Sequence, residues 1–366
     1  MTAGALLAAA ALAAAPRVAV DLLARDAPRG AVVRGAGGAF SVAVRGDGLL
    51  VDGRPLPSLA LAPGAWEIAP DRGPARTYRA ALALRARRGV LAVRAEMDLD
   101  DYVAAVVASE TTPDTPPAAL RAQAVVVRSY ALAARERHPG GALCDLAHCQ
   151  VLRAHGTPAR HLRAAEEAAR ATAGEVLRLA SGAVAEATFH AACGGHTADP
   201  LEAFGSGATG AAAAPDPGCE GPPWRAAVEP RVLAGAVRGA LAPSDVAGAA
   251  AVPATLRAAD LTVVGGRGGW AVRVAGRGSR WALGGDAFAR ALDAALGRGA
   301  VRSSRLSLAD AGGRVVVRGT GHGHGVGLCQ RGAARWAARG EGHREILARY
   351  FAARPAVERN LIGRGP

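Results

Sequence analysis

Two histidines, His322 and His324, alternate with glycines in GTGHGHGVGLCQRGAARW (319–336), which runs directly into a helical pattern. Glycines at 321, 323, 325 and 327 carry no Cβ, so the backbone there can approach another surface closely. Imidazole nitrogens and the Gln330 amide supply hydrogen-bonding groups beside it. A phosphate-loop reading fails, because it needs a lysine after the glycines and the chain contains none. A structural strand-to-helix turn is the competing reading of the same run.

Three other sets of residues could do chemistry. Glu110 ends a short helical pattern, DLDDYVAAVVASE, where a lone carboxyl could move a proton. HPGGALCDLAHCQ brings His138, Cys144, His148 and Cys149 within twelve positions, a borderline-soft donor set of the kind zinc prefers. A disulfide between Cys144 and Cys149 is the alternative in an oxidising compartment. FHAACGGHT carries His190, Cys193, Gly194, Gly195 and His196 at the end of a strand-like stretch. Of the remaining cysteines, Cys193 and Cys219 read as the natural pair, leaving Cys329 odd.

The elements that must position these groups follow from periodicity. Residues 17–89 alternate short apolar runs with Gly, Pro and Asp turns, which predicts strands and hairpins, with a further strand up to Met97. Two helices follow, the second opening at TPP with Thr115 as N-cap. A third, PARHLRAAEEAARATAGEVL, precedes the His190 stretch, and residues 205–223 read as an exposed Gly/Ala/Pro loop. Strands LTVVGG, WAVRVAG and SRLSLADAGGRVVVRG lead to the glycine run, and the segment AARWAARGEGHREILARYFAA (333–353) near the carboxyl end is helical. The fold class expected is α+β: a mixed, strand-rich fold with helices bordering a cleft. Its expected parts are a signal peptide (1–16), a strand-rich part (17–89), a core (90–355) and a tail (356–366).

Composition sets outer limits. The chain has 366 residues, half of them hydrophobic, which is ample for a sizeable core. Its net charge of +13 comes entirely from arginine and suits acidic polymers, although a coding bias toward arginine and alanine gives the same balance. No nucleic-acid partner is expected. The apolar run at Ala3–Ala15 has the length of an export-signal core and is too short to span a bilayer, so an exported protein that is not integral to a membrane is expected.

Three ordered stretches carry a family resemblance. DYVAAVVASE with PPAALRAQAVVVRSYAL is similar to a helix ending in Ser-Glu-Met-Pro followed by a second helix of pattern Glu-Ala-Leu-Lys-Ala-Gln-Ala-Val-Ala-Ala-Arg-Thr-Tyr-Ala. CDLAHCQV and FHAACGGHT resemble Cys-Asp-x-x-x-Cys-Gln and His-x-x-x-Gly-Gly-x-Thr. The glycine run resembles Gly-x-Gly-His-Gly-Val-Gly-Met-Ser-Gln-x-Gly-Ala. These are patterns of the stage II sporulation protein D family, which includes amidase-enhancer proteins, and they span residues 90–352. Thr111-Thr112, Arg121 and Cys329 depart from the family's Met-Pro, lysine and serine.

The resemblance implies a lytic transglycosylase of peptidoglycan glycan strands, with Glu110 as general acid and base giving a 1,6-anhydromuramyl product. For that role Glu110 must hold a proton near neutral pH, which partial burial favours. It further implies that Gln123, Arg128, His190, Gly194, Gly195, His324 and Gln330 bind the glycan, the glycines as a flat floor. Zinc, mainly as a brace, maps onto His138, Cys144 and Cys149, with His148 the other candidate nitrogen ligand. The alternative role attached to the family is a non-catalytic peptidoglycan-binding enhancer of a cell-wall amidase. A zinc amidase reading is weakened by the lack of a His-Glu-x-x-His helix.

Overall fold

The computed structural model describes residues 16–134, 138–147, 149–153, 156–205 and 208–357. The export-signal stretch, His148 and positions 358–366 of the expected tail lie outside the described residues. The fold is mixed α+β. The chain divides into two compact units, one of Met1–Ser109, Arg135–Thr157 and Val357–Pro366, the other of Glu110–Ala134 and Pro158–Ala356. Among the described residues, no helix is long and apolar enough to cross a membrane.

The first unit is built on one nine-stranded sheet. Its strands are β1 (Arg17–Leu22), β2 (Gly30–Gly35), β3 (Gly38–Arg45), β4 (Gly48–Val51), β5 (Arg54–Leu56), β6 (Ser58–Pro70), β7 (Arg76–Arg87), β8 (Val90–Asp98) and β9 (Ala142–Cys144). They lie in the order β5-β4-β3-β2-β6-β7-β8-β1-β9. Period-two alternation makes them strands: β7 buries Tyr78, Ala80, Leu82 and Leu84, and β8 buries Leu91, Val93, Ala95 and Met97. Each Leu, Val or Met so buried contributes about 1.5–3 kcal/mol. The β4–β5 hairpin turns at Asp52-Gly53, both with positive φ, as a twisted two-residue turn requires. β9 joins the edge in parallel to β1, with Cys144 opposite Asp21. α1 (Leu99–Glu110) starts with Asp100 and Asp101, whose charges suit a helix N-terminus, and buries Tyr102, Val103, Val106 and Val107.

The second unit has two hydrophobic cores. One gathers β12 (Trp224–Val228), α5 (Pro230–Leu241), α6 (Val246–Ala250), β13 (Leu261–Gly265), β14 (Ala271–Gly276), β15 (Ala282–Gly284), α7 (Gly285–Leu296), β16 (Leu306–Ala311) and β17 (Arg314–Gly319). Two antiparallel three-stranded sheets, β12-β17-β16 and β13-β14-β15, pack there with Leu233, Val237 and Leu241 of α5 and Phe288 and Leu292 of α7. α5 and α7 were not part of the strand pattern expected for this region. Their apolar spacing of four is nevertheless helical.

The other core gathers α2 (Pro117–Ala134), β10 (Glu175–Arg178), β11 (Phe189–His190), β18 (Leu328–Cys329), α8 (Gln330–Ala338) and α9 (His343–Tyr350). α3 (Ala159–Ala171) lies beside α2, and the short α4 (Pro200–Phe204) follows β11. β11 and β18 pair in parallel, Phe189 with Leu328 and His190 with Cys329, which joins the His190 stretch to the glycine run. Thr115 does not cap α2; its Oγ accepts a hydrogen bond from the Thr112 N–H and closes the turn before the helix. The 205–223 segment is not simply exposed: Thr209, Asp216 and Cys219 are buried, because the Asp216 carboxylate is drawn in by Arg335, Trp336 and Tyr350.

Candidate functional site

Glu110 opens the second unit, and within it a cleft of about 290 Å³ is lined by Glu110, the Thr111–Thr115 turn, Ala119 and Gln123 of α2, Ala191, and the first turns of α8. Ala119 and Gln123 share a helix face because they are four apart. Alanines at 119, 191, 333 and 334 leave the space that larger side chains would fill. The Gln330 amide, at the N-terminus of α8, donates from Nε2 to the Glu110 carbonyl at 3.1 Å, tying α8 to the end of α1's sequence.

The cleft contains an anomaly. Gln123 is 1% exposed, and neither its Oε1 nor its Nε2 has a hydrogen-bond partner. A buried, unsatisfied amide costs about 1–3 kcal/mol for each orphaned group. Because the residue lines the cleft, a ligand's hydroxyl or acetamido group can supply both missing bonds.

A residue not expected from the sequence steadies the turn after Glu110. His161 of α3 is buried, and its Nε2 lies 3.2 Å from both the carbonyl oxygen and the hydroxyl of Thr111. The substitution of Thr-Thr for the family's Met-Pro was the available signal, since a threonine offers a polar anchor where methionine does not.

The expected glycan-binding residues separate into two groups. Gln123 and Gln330 come together with Glu110; the other five, Arg128, His190, Gly194, Gly195 and His324, do not line this cleft. Arg128 is fully buried, and its guanidinium donates to Thr172 Oγ1 and to the carbonyls of Ala169 and Glu175 at 2.9–3.3 Å. It braces α2 against the α3–β10 connection, so its forked hydrogen bonds serve the protein's own backbone. Gly194 and Gly195 have φ of +68° and +104°, and a Cβ on Gly194 would lie 2.9 Å from both Arg305 Nη1 and Thr320 Oγ1. Arg305 also donates to the Gly194 carbonyl. The missing Cβ of Gly194 makes room for Arg305 and Thr320.

His190 is likewise turned into the interior. Its ring stands edge-on to Trp270 and His324, and Nδ1–H donates to the Val326 carbonyl at 3.2 Å, leaving Nε2 unpartnered. Burial, aided by His324, pushes its pKa down to about 3, so the ring is neutral. Burial also lowers His324 below the usual histidine value. His324 accepts from the Val326 N–H and faces a separate, water-sized pocket beside Glu202, Asp286 and Trp270.

The glycine run has the same explanation. All four glycines have φ between +79° and +99°. A Cβ would come within 2.8 Å of Ala192 O at 321, 3.0 Å of His190 Cβ at 323, 2.3 Å of the Trp270 ring at 325 and 2.1 Å of Thr188 O at 327. The run is a ribbon threaded against β11 and Trp270, which corrects the expectation of a floor for glycan.

Two thiol-bearing sets are assembled. In the first unit, Cys144 and Cys149 have their sulfurs 2.9 Å apart, and Cys149 Sγ lies 3.5 Å from His138 Nε2, so the three residues expected to hold zinc converge. Cys193, Cys219 and Cys329 are free thiols. In the second unit, Cys193, Asp216, Cys219 and Cys329 are buried with their donor atoms within 4.8 Å of one another, a set that could hold a metal ion. Cys329 is therefore not the odd cysteine: its sulfur lies 3.2 Å from that of Cys219.

Comparison with known proteins adds two findings. Residues 87–179 match the family model described as SpoIID, stage II sporulation protein. An uncharacterized protein of Brachyspira hyodysenteriae is similar, at 26% identity over 271 residues, covering 74% of this chain and 69% of that protein.

Proposed function

From the match of residues 87–179 to the stage II sporulation protein D family model, which fits a cell-wall-acting protein, we propose that the chain is a member of that family and an exported lytic transglycosylase of peptidoglycan glycan strands. The observation that carries this reading is the joint lining of one cleft by Glu110, the unsatisfied Gln123 amide and Gln330. A carboxyl with hydrogen-bonding amides around it and small residues making room is the minimum a glycan-cleaving site needs.

In the proposed reaction Glu110 donates its proton to the glycosidic oxygen as the C–O bond breaks. The carboxylate so formed takes the proton from the muramyl 6-hydroxyl, whose oxygen closes on C1 to give the 1,6-anhydro ring. Protons balance and no water is consumed, so one carboxyl suffices where hydrolysis uses a pair. Gln123 would orient the sugar through its hydroxyl or acetamido groups, and Arg331, also on the cleft, would meet acidic groups of the substrate.

Where zinc is bound in the first unit, His138 Nε2 and the sulfurs of Cys144 and Cys149 would hold it, their convergence within 3.5 Å fitting that donor set. The test of the function is mass analysis of glycan strands incubated with the full chain. Anhydromuramyl ends that vanish in Glu110→Gln support it. Binding without new ends in the unaltered protein would favour the amidase-enhancing role.

A further inference from the structure

We propose that Cys193, Asp216, Cys219 and Cys329 form a structural site for one zinc ion, distinct in its ligands from the His138–Cys144–Cys149 set. Four donors arrive from three separate stretches of chain: the turn after β11, the 216–219 turn, and the residue that caps α8. The relevant separations are 3.2 Å from Cys219 to Cys329 and 3.3 Å from Cys193 Sγ to Asp216 Oδ2, with every pair inside 4.8 Å. A tetrahedron with zinc–sulfur arms of about 2.3 Å needs donors roughly 3.8 Å apart. Side-chain shifts of less than about 1 Å meet that geometry.

Packing alone does not account for this arrangement. A thiol in a core behaves as a small hydrophobe, and alanine or valine would fill the same space without placing a carboxylate beside three sulfurs. The cluster sits inside the core of α2, α8 and α9, where the exposure of all four residues is 0–1%. An isolated buried carboxylate there would be costly.

The surroundings orient the donors as outer ligand partners do. Arg335 and the Trp336 indole N–H donate to Asp216 Oδ1 at 3.0 and 3.1 Å, and the Tyr350 hydroxyl donates to Oδ2 at 3.0 Å. Backbone N–H groups of Cys193 and Gly332 each point at Cys329 Sγ at 3.3 Å, as stabilises a thiolate. Gly332 has to be glycine: a Cβ there would lie 2.0 Å from Asp216 Oδ2. Binding replaces the thiol protons of Cys193, Cys219 and Cys329 with bonds to the cation, the protons leaving to solvent. Arg335 offsets part of the negative charge that remains.

The site would matter to the cleft because of what its ligands adjoin. Cys329 immediately precedes Gln330, and Cys193 lies two residues after Ala191; both neighbours line the cleft. A zinc bridge between them fixes that wall from behind.

The experiment is an anaerobic Co²⁺ titration of the full-length chain carrying C144S and C149S, reduced and stripped with chelator, followed by displacement with Zn²⁺. One equivalent of cobalt with thiolate-to-metal charge-transfer absorption and tetrahedral d–d bands, displaced by zinc, is the expected result; Asp216→Asn should weaken binding about 10- to 100-fold with the sulfur bands retained. Absence of those bands, or a Cys219–Cys329 disulfide found by peptide mapping of the protein as purified, overturns the proposal. Should the double variant fail to fold, elemental analysis of the unaltered chain decides: two zinc equivalents uphold the site, one or none sinks it.

Discussion

Gln123 and Arg128 stand five residues apart on α2, both polar and both almost completely buried, yet they are opposites. The guanidinium of Arg128 is wrapped by Thr172, Ala169 and Glu175. The amide of Gln123 touches a cleft and bonds to nothing in the protein. Burial by itself does not mark a functional residue, because a polar group satisfied by its own chain has no capacity left for a ligand. Burial with open hydrogen-bonding capacity at a cavity wall leaves groups that a ligand or solvent in the cavity can satisfy. Glu110 and Gln330 also line that cleft, whereas the missing Cβ atoms of Gly194 and the 321–327 glycines make room for protein.

The contrast can be broken most decisively on the cleft side. Glu110→Gln should cut anhydromuramyl product formation by about 10²–10⁴-fold with no change in melting temperature; a variant that retains activity removes the carboxyl from the chemistry. Next in size is the packed side. Arg128→Met should destabilise the protein by about 3 kcal/mol in urea titration, because buried carbonyls lose their donors. Its turnover in the remaining folded fraction should be near normal, and a loss of glycan affinity at full folding would return Arg128 to the site.

The histidine behind the cleft gives a smaller effect with a defined sign. His190 titrates near 3 when folded, well below its unfolded value of about 6.5, so the unfolded chain takes up the proton first. Stability is therefore complete above about pH 6.5 and declines as pH falls toward 3, by about 2 kcal/mol at pH 5 from this residue. His324, shifted in the same direction, adds to the decline. A urea midpoint that stays flat from pH 7 to pH 5 would contradict the buried, neutral pair. Smallest is Gln123→Met, which exchanges an unsatisfied amide for an apolar chain of similar size. It should leave stability unchanged or raised by about 1 kcal/mol, while weakening binding of soluble glycan fragments in calorimetry.

Much of the architecture was legible in the residues. Period-two alternation marked the strands from Arg17 to Met97, and helical spacing marked α1, α2, α3, α8 and α9. The helices α5 and α7 show their helical spacing only in short apolar sets, Leu233, Val237 and Leu241 in one and Phe288 and Leu292 in the other, between the strands of their unit. The convergence of His138, Cys144 and Cys149 was visible because a short segment can close on itself. The Cys193–Cys219–Cys329 cluster was not, since its members are up to 136 positions apart and meet only through the β11–β18 pairing and the turn that Asp216 anchors.

By itself, then, the sequence determined the chemical types: a lone carboxyl after a helix, amides and imidazoles near it, thiols in two sets, and glycines where the backbone must run close to something. Tertiary structure alone decided what each was close to. Hydrogen-bond capacity is a property of the residue, but whether it is spent on the protein's own backbone or left open to a cavity depends on neighbours far away in the chain. That is why Arg128 and the glycine ribbon turned inward, while the Gln123 amide stands at the cleft wall with no hydrogen-bond partner among the described residues.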